Sequence, residues 1–236
     1  MKAVLLAAGL GIRLGALTEH APKCMVEVGG RPVLERNIEW LAAGGIHDLA
    51  VNLHHHADVV SGYFGDGSAY GATIHWSDEV ELLGTAGTLA SLRQWIGSEH
   101  FLVVYADNLI GCDLQALVAS HLAGTPAATV ALFEREDVSA SGVAELTHDD
   151  QIARFVEKPG PGETDSHWVN AGLLVLGPRA LALAPERGDI GHDLLPRLLD
   201  AGERVSGYRM GPNERLFWID TPDDLRLTES ALGGAR

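Results

Sequence analysis

Short runs of Val, Leu, Ile and Ala alternate with longer segments whose apolar residues recur at helical spacing, and no other feature of the chain restricts its fold as tightly. The strand-like runs fall at residues 3–7, 49–52, 73–76, 101–105 and 128–133. The helical segments fall between them, at 32–43, 57–64, 85–96 and 114–123. A strand that leads through a helix into the next strand pairs in parallel with a right-handed crossover. The pattern therefore predicts a doubly wound, mainly parallel, Rossmann-like α/β sheet. After Phe133 the rhythm breaks into Gly/Pro-punctuated strands at 143–146, 152–156 and 169–176. That break predicts a mixed β second half laid over the sheet and its cleft. A chain of 236 residues is expected to form one domain, 1–236, with halves of about 1–133 and 134–236.

Charge narrows the partners. With 32 acidic residues against 17 Lys and Arg, the formal net charge is −15, which repels a phosphate backbone, and nucleic acid is not an expected partner. An acidic protein still binds an anion through a few concentrated cations, or by recruiting Mg2+ between its carboxylates and a phosphate. The apolar start MKAVLLAAGLGIRL meets Arg13 and its glycines too soon for a membrane span, and Lys2 alone makes a poor signal peptide. No membrane partner and no targeting segment are expected. Cys24 and Cys112 lack metal or disulfide spacing and read as reduced thiols of a cytoplasmic protein.

In open α/β sheets ligands bind beyond the carboxyl ends of the strands. The first polar residues after three of the strands are Gly9 to Arg13, Asp107 with Asn108, and a set near Asn170. Gly9 and Gly11 let the backbone approach a phosphate closely. The dinucleotide fingerprint fails, because Leu14 stands where its third glycine belongs, and the Walker pattern is absent. Arg13 inside the loop and Lys23 after Pro22 are placed to neutralise a polyphosphate and departing pyrophosphate. The competing account is a glycine turn with two surface cations. Asp107, directly after an apolar strand, reads either as a metal carboxylate aimed into a cleft or as a capping aspartate. On physics alone Glu157, Lys158 and Asn170 read as an exposed ion pair and a turn asparagine. His54, His55 and His56 are consecutive and cannot converge on one ion.

The string LAAGLGIRLGALTEHAPK resembles the amino-terminal signature of sugar nucleotidyltransferases, GxGxRxxxLTxxxPK, at Gly9, Gly11, Arg13, Leu17, Thr18, Pro22 and Lys23. Four further segments follow in that family's order: ELLGTAG at 81–87, ADN at 106–108, FVEKP at 155–159 and VNAG at 169–172. The resemblance covers nearly the whole chain and is strongest to mannose 1-phosphate and manno-heptose 1-phosphate guanylyltransferases. It implies a nucleotide-binding half about 1–133 and a sugar-binding half about 134–236. It also implies that Arg13, Lys23 and Asp107 are catalytic, and that Leu6, Ala8, Gly9, Gly11, Arg13, Glu81, Gly84 and Thr85 hold the nucleotide. Asn108, Gly142, Glu157, Lys158 and Asn170 would then contact the sugar or its phosphate, with backbone near Gly172 completing that pocket.

Similar enzymes close a Mg2+ site with an aspartate in a W-x-D-x-G-T-P-like run, whereas FWIDTPDDL here is shorter and lacks the glycine. If the gap follows the aspartate, Asp220 is the second metal ligand beside Asp107. If it precedes, Trp218 takes that place and Asp220 reaches the metal from another register. The family usually has Gly-Asp where this chain has Ala106-Asp107. Asp223 and Asp224, after Pro222, read as first-turn residues of a closing helix.

The reaction implied is in-line attack by a sugar 1-phosphate oxygen on the α-phosphorus of a nucleoside triphosphate, releasing pyrophosphate. The nucleophile is already anionic, so no general base is expected. Glu79 and Glu81 precede the base-bordering segment, and a carboxylate acceptor suits the paired donors of guanine. UTP stays open, because related uridylyltransferases keep a similar segment. A cytidylyltransferase acting on a phosphorylated alcohol should lack the EKP and NAG segments, and a nucleotide-sugar sensor should have lost Arg13, Lys23 or Asp107. The chain reaches Arg236 soon after the closing helix, so no appended repeat domain is expected, and the protein is expected to act as a monomer or homodimer.

Overall fold

The apolar runs become strands wherever they can be buried on both faces. A computed structural model describes residues 1–9, 11–18 and 21–233, and the side chains of Ile12, Arg13 and Ala16 lie outside that description. Its strands are β1 (Lys2–Leu6), β2 (Asp48–Leu53), β3 (Thr73–Asp78), β4 (Phe101–Tyr105), β5 (Asn108–Gly111), β6 (Ala128–Glu134), β7 (Gly142–Leu146), β8 (Ile152–Glu157), β9 (Trp168–Leu176), β10 (Val205–Arg209) and β11 (Arg215–Trp218). Its helices are α1 (Val33–Ala43), α2 (Ala57–Phe64), α3 (Thr85–Ser91), α4 (Arg93–Ile96), α5 (Leu114–Gly124), α6 (Pro178–Leu183), α7 (Leu195–Asp200) and α8 (Pro222–Gly233). Helix and strand alternate up to β6, as the periodicity predicts, except that the short strand β5 follows β4 with no helix between them. The single helix expected over 85–96 is interrupted at Leu92, whose φ of −89° and ψ of 5° separate α3 from α4. The hydrogen bonds from Leu92 N to Thr88 O and from Ile96 N to Leu92 O bridge the break, so it is a kink within one path.

The chain divides into two units, and it crosses from one to the other four times. The first contains Met1–Leu82, Val104–Gly111 and the segment from Arg215 onward. In it β1, β2 and β3 pair in parallel, with Leu6 opposite Asn52 and Asn52 opposite Ser77. After Asp48, every residue of β2 is buried, as a central parallel strand requires. Helix α1 buries Leu34, Ile38 and Leu41, spaced four and three residues apart on one face. A short antiparallel ribbon joins β5 to β11, pairing Leu109 with Phe217 and Asn108 with Trp218. Leu14, Val26, Val28, Val33, Leu109 and Ile219 form a core cluster beneath it.

The second unit contains Leu83–Val103 and Cys112–Glu214. Here β10 is parallel to β6, while β6 with β9, β7 with β8 and β7 with β9 are antiparallel, the mixed arrangement expected after Phe133. Its interior holds a polar chain. His121, fully buried on α5, has its Nε2 2.7 Å from His100 Nδ1 and its Nδ1 2.9 Å from the Thr129 hydroxyl. Burial and then the neighbouring His100 ring depress the His121 imidazole from 6.5 to about 4. A depressed pKa means that the fold favours the neutral ring, so its contribution is intact above 6.5 and is lost as pH falls from 6.5 towards 4. Urea unfolding across this window should show stability declining by up to about 1.4 kcal/mol per pH unit, the limit set by one extra proton taken up on unfolding. A flat profile would refute the assignment.

Candidate active site

The signature lysine lies where two carboxylates meet. In the first unit the Lys23 ammonium is 2.7 Å from Asp107 Oδ2 and 2.5 Å from Asp220 Oδ1, and its side chain is 7% exposed. Burial lowers its pKa, but the two carboxylates outweigh burial and the net shift is upward, so it stays an ammonium. Next to it, burial and then Asp107 push the Cys24 thiol up to about 12, which rules it out as a thiolate nucleophile at neutral pH.

Each carboxylate is held by local structure. Asp107 occupies the turn between β4 and β5. That turn is fixed from behind by Ala106 N donating to Leu6 O, and by Asn37 Nδ2 of α1 donating to Asn108 O at 2.8 Å. Asp220 follows the ribbon strand β11 and the fully buried Ile219. Asp224 Oδ2 accepts from Asp220 N at 3.2 Å, Thr221 N at 2.8 Å and the Thr221 hydroxyl at 2.8 Å. Asp224 N donates back to that hydroxyl at 3.2 Å, completing a capping box at the start of α8. The pairing of Trp218 with Asn108 sets the register that brings Asp220, and not Trp218, to the lysine.

Among the described residues no group of three or more His, Cys, Asp or Glu side chains converges to hold a metal. Asp107 and Asp220 nonetheless offer two carboxylate oxygens of the kind that could hold a hard cation. Magnesium is commonly bound through one or two carboxylates, with substrate phosphates and water supplying the rest. A cationic group already seated between the two oxygens shows that they face a common point. Two of the consecutive histidines are placed otherwise: His54 Nδ1 lies 2.8 Å from Glu79 O, and His56 precedes α2 with φ at 53°.

The glycine loop starts from the end of β1. Leu6 is buried, Ala8 half-buried and Gly9 exposed with open space around it. Gly11 has φ at +61°, and a Cβ there would approach Lys23 Cβ to 2.8 Å, so the loop lies directly on the lysine stem. Arg13, expected to bind phosphate, has its side chain outside the described residues. Behind the loop runs a buried polar relay. Ala7 N donates to Asn52 Oδ1 at 2.8 Å, and Asn52 Nδ2 donates to Glu79 Oε1 at 2.9 Å. Glu79 is buried, whereas Glu81 is exposed. Neither Asn52 nor Asn37 belongs to a motif, yet each is an amide among core residues of its own element, a pattern visible in the sequence.

In the second unit the LGTAG segment is bound to residues 186–193. The Thr85 backbone N–H and hydroxyl both donate to Asp189 Oδ1 at 3.1 Å, and Ala86 N and Gly87 N donate to Gly188 O. The first amides of α3 are thus satisfied within the protein. Gly84 adopts φ 78° and ψ 163°, and a Cβ there would run into the Gly188 carbonyl.

Glu157 closes β8 opposite Gly142 of β7. A Cβ at Gly142 would come within 2.6 Å of Glu157 Oε2, and one at Gly191 would collide with the same oxygen. The two glycines leave room for this carboxylate. Its pKa is raised by burial, against the lowering effect of Lys158 and with a further rise from Asp189. Lys158 has φ at 50°, with its N–H bonded to Ser141 O. Asn170 Oδ1 accepts from Gly172 N at 2.9 Å, where the β6–β9 register shifts. Asn108, expected beside the sugar, is buried on β5 of the first unit.

No helix among the described residues is long and apolar enough to cross a membrane. The chain is 33% identical over 235 residues to the UTP–glucose-1-phosphate uridylyltransferase of Synechocystis sp., covering 93% of this chain and 60% of that protein. It is 31% identical over 227 residues to the mannose-1-phosphate guanylyltransferase of Mycobacterium tuberculosis, covering 94% of this chain and 62% of that one. It therefore spans a little over three fifths of these relatives' length. The crystal structure of HddC from Yersinia pseudotuberculosis complexed with GMP-PN superposes with a TM-score of 0.82 over 98% of this chain and 99% of that one, at 24% identity, and so shares the fold. The family model for nucleotidyl transferase matches residues 2–225, and the chain belongs to that family.

Proposed function

We propose that the chain is a cytoplasmic, Mg2+-dependent sugar-1-phosphate nucleotidyltransferase. It would act as one domain, monomeric or homodimeric, on GTP and a mannose- or manno-heptose-type 1-phosphate to give an NDP-sugar and pyrophosphate. The observation that carries this reading is the Lys23 ammonium seated between Asp107 and Asp220, at the end of a glycine loop in a chain of the nucleotidyl transferase family. The relatives named for uridylyl and guanylyl transfer support the reaction, and uridylyl transfer is the second reading.

In the proposed mechanism Leu6, Ala8, Gly9 and Gly11 present the loop backbone to the triphosphate, and Arg13 and Lys23 neutralise its phosphates. Magnesium, held by Asp107 and Asp220, would supply further charge neutralisation at the polyphosphate. In the second unit Glu157, Lys158, Asn170 and the backbone at Gly142 contact the sugar 1-phosphate, and Gly84 and Thr85 shape the border of the base; in the first unit Asn108 is the sugar contact. Because the attacking oxygen is already an anion, these residues align two like-charged substrates and need remove no proton.

For the base, the buried Glu79 is preferred over the exposed Glu81, because its carboxylate is oriented by Asn52 and a carboxylate accepts from paired donors such as those of guanine. Pyrophosphate release should be measured across GTP, UTP, CTP, ATP and dTTP against mannose, glucose, N-acetylglucosamine and manno-heptose 1-phosphates. One GTP pair should stand well above the rest. In the Glu79→Gln variant the preference for GTP over UTP should fall by about tenfold or more, the scale of losing a charged acceptor. An unchanged preference would move the assignment away from Glu79, and a blank matrix with folded protein would refute the reaction.

A further inference from the structure

Lys23 and the proposed magnesium have a claim on the same atoms. The ammonium sits within hydrogen-bond distance of Asp107 Oδ2 and Asp220 Oδ1, so it fills the space between the two oxygens that would ligate the ion. Magnesium needs those oxygens at about 2.0–2.1 Å, which places it where the ammonium now lies. Two cations cannot share so small a gap. Resting on the nucleotidyl-transfer reading, we propose that Lys23 is an internal placeholder for the metal, and that the ammonium and the divalent ion occupy the Asp107–Asp220 pair in turn.

Three observations support an exchange. The pair is already partly neutralised by a buried ammonium, so a free divalent ion meets weak attraction and must displace a hydrogen-bonded cation. The lysine stem lies against Gly11, so its head can pass from the carboxylates to a phosphate on the loop by side-chain rotation alone. The Asp107 turn and the Asp220 capping box are held independently of the lysine, by Asn37 and Asp224, so the carboxylates keep their places when it leaves. A triphosphate supplies the ammonium with a new partner, and metal and nucleotide therefore bind together, each weakly without the other.

The test is Mn2+ binding by electron paramagnetic resonance, with and without GTP and with no sugar phosphate, on the wild type and on Lys23→Met. Mn2+ alone should bind Lys23→Met about tenfold or more tightly than wild type, and GTP should strengthen Mn2+ binding far more in wild type than in the variant. Equal affinity of the two proteins for Mn2+ alone would overturn the placeholder. Should Lys23→Met not fold, Lys23→Gln serves in the same comparison. In wild type itself the Tm should be unmoved by Mn2+ alone and raised by Mn2+ with GTP, while a comparable rise with Mn2+ alone would overturn the proposal. Failure of GTP, UTP and dTTP alike to bind would instead refute the nucleotidyl-transfer reading, and the Mn2+-alone comparison would still decide the placeholder.

Discussion

Replacing Asp107 by alanine should leave a folded protein whose kcat is lower by about two orders of magnitude or more, the scale of losing a major electrostatic element. The side chain is 32% exposed on a turn, so its removal opens no core cavity. Asp220 still pairs Lys23, and no buried ammonium is left without a partner. The turn itself stays tied by Ala106 to Leu6 and by Asn37 to Asn108. Circular dichroism and steady-state kinetics on one preparation would separate the two effects. Near-normal turnover would remove Asp107 from the metal assignment.

Gly84→Ala should destabilise the protein by about 3 kcal/mol, through two effects that act together. Its φ of 78° and ψ of 163° lie in a region open essentially to glycine alone. The added Cβ would also run into the Gly188 carbonyl, and backbone cannot swing aside as a flexible side chain does. Relief would require breaking the bonds from Ala86 N and Gly87 N to Gly188 O, which hold the LGTAG segment. Urea denaturation measures the loss. Gly9→Ala is the matched control, since nothing lies within 4 Å of a Cβ there, and its cost should stay under about 0.5 kcal/mol. A Gly84→Ala protein as stable as the control would show that the backbone yields.

The regular elements were legible because periodicity reports burial directly. Residues 57–64 and 101–105 carry their helix and strand at the expected bounds. The ribbon of β5 and β11 was not legible, since four residues give no period and the pairing spans distant parts of the chain. The same ribbon sets Asp220, and not Trp218, beside Lys23, a long-range contact that no local pattern reports. Glu79 and Glu81 looked equivalent in sequence, and only the partner Asn52 distinguishes the buried one. The space around Glu157 shows the same limit: Gly142 came with the family resemblance, but Gly191, from a remote segment, carried no local signal.

The four crossings between units have a consequence during synthesis. The strand β11 and the residue Ile219, which complete the ribbon and core of the first unit, are made long after Leu14, Val26, Val28, Val33 and Leu109. At about 5–20 residues per second the ribosome takes on the order of ten seconds to cover the interval from β5 to β11. During that time the nascent chain carries an apolar surface awaiting its last piece, and by its end all of the second unit has been translated. The second unit is therefore free to form first, and the Asp107–Lys23–Asp220 cluster is among the last features to be assembled.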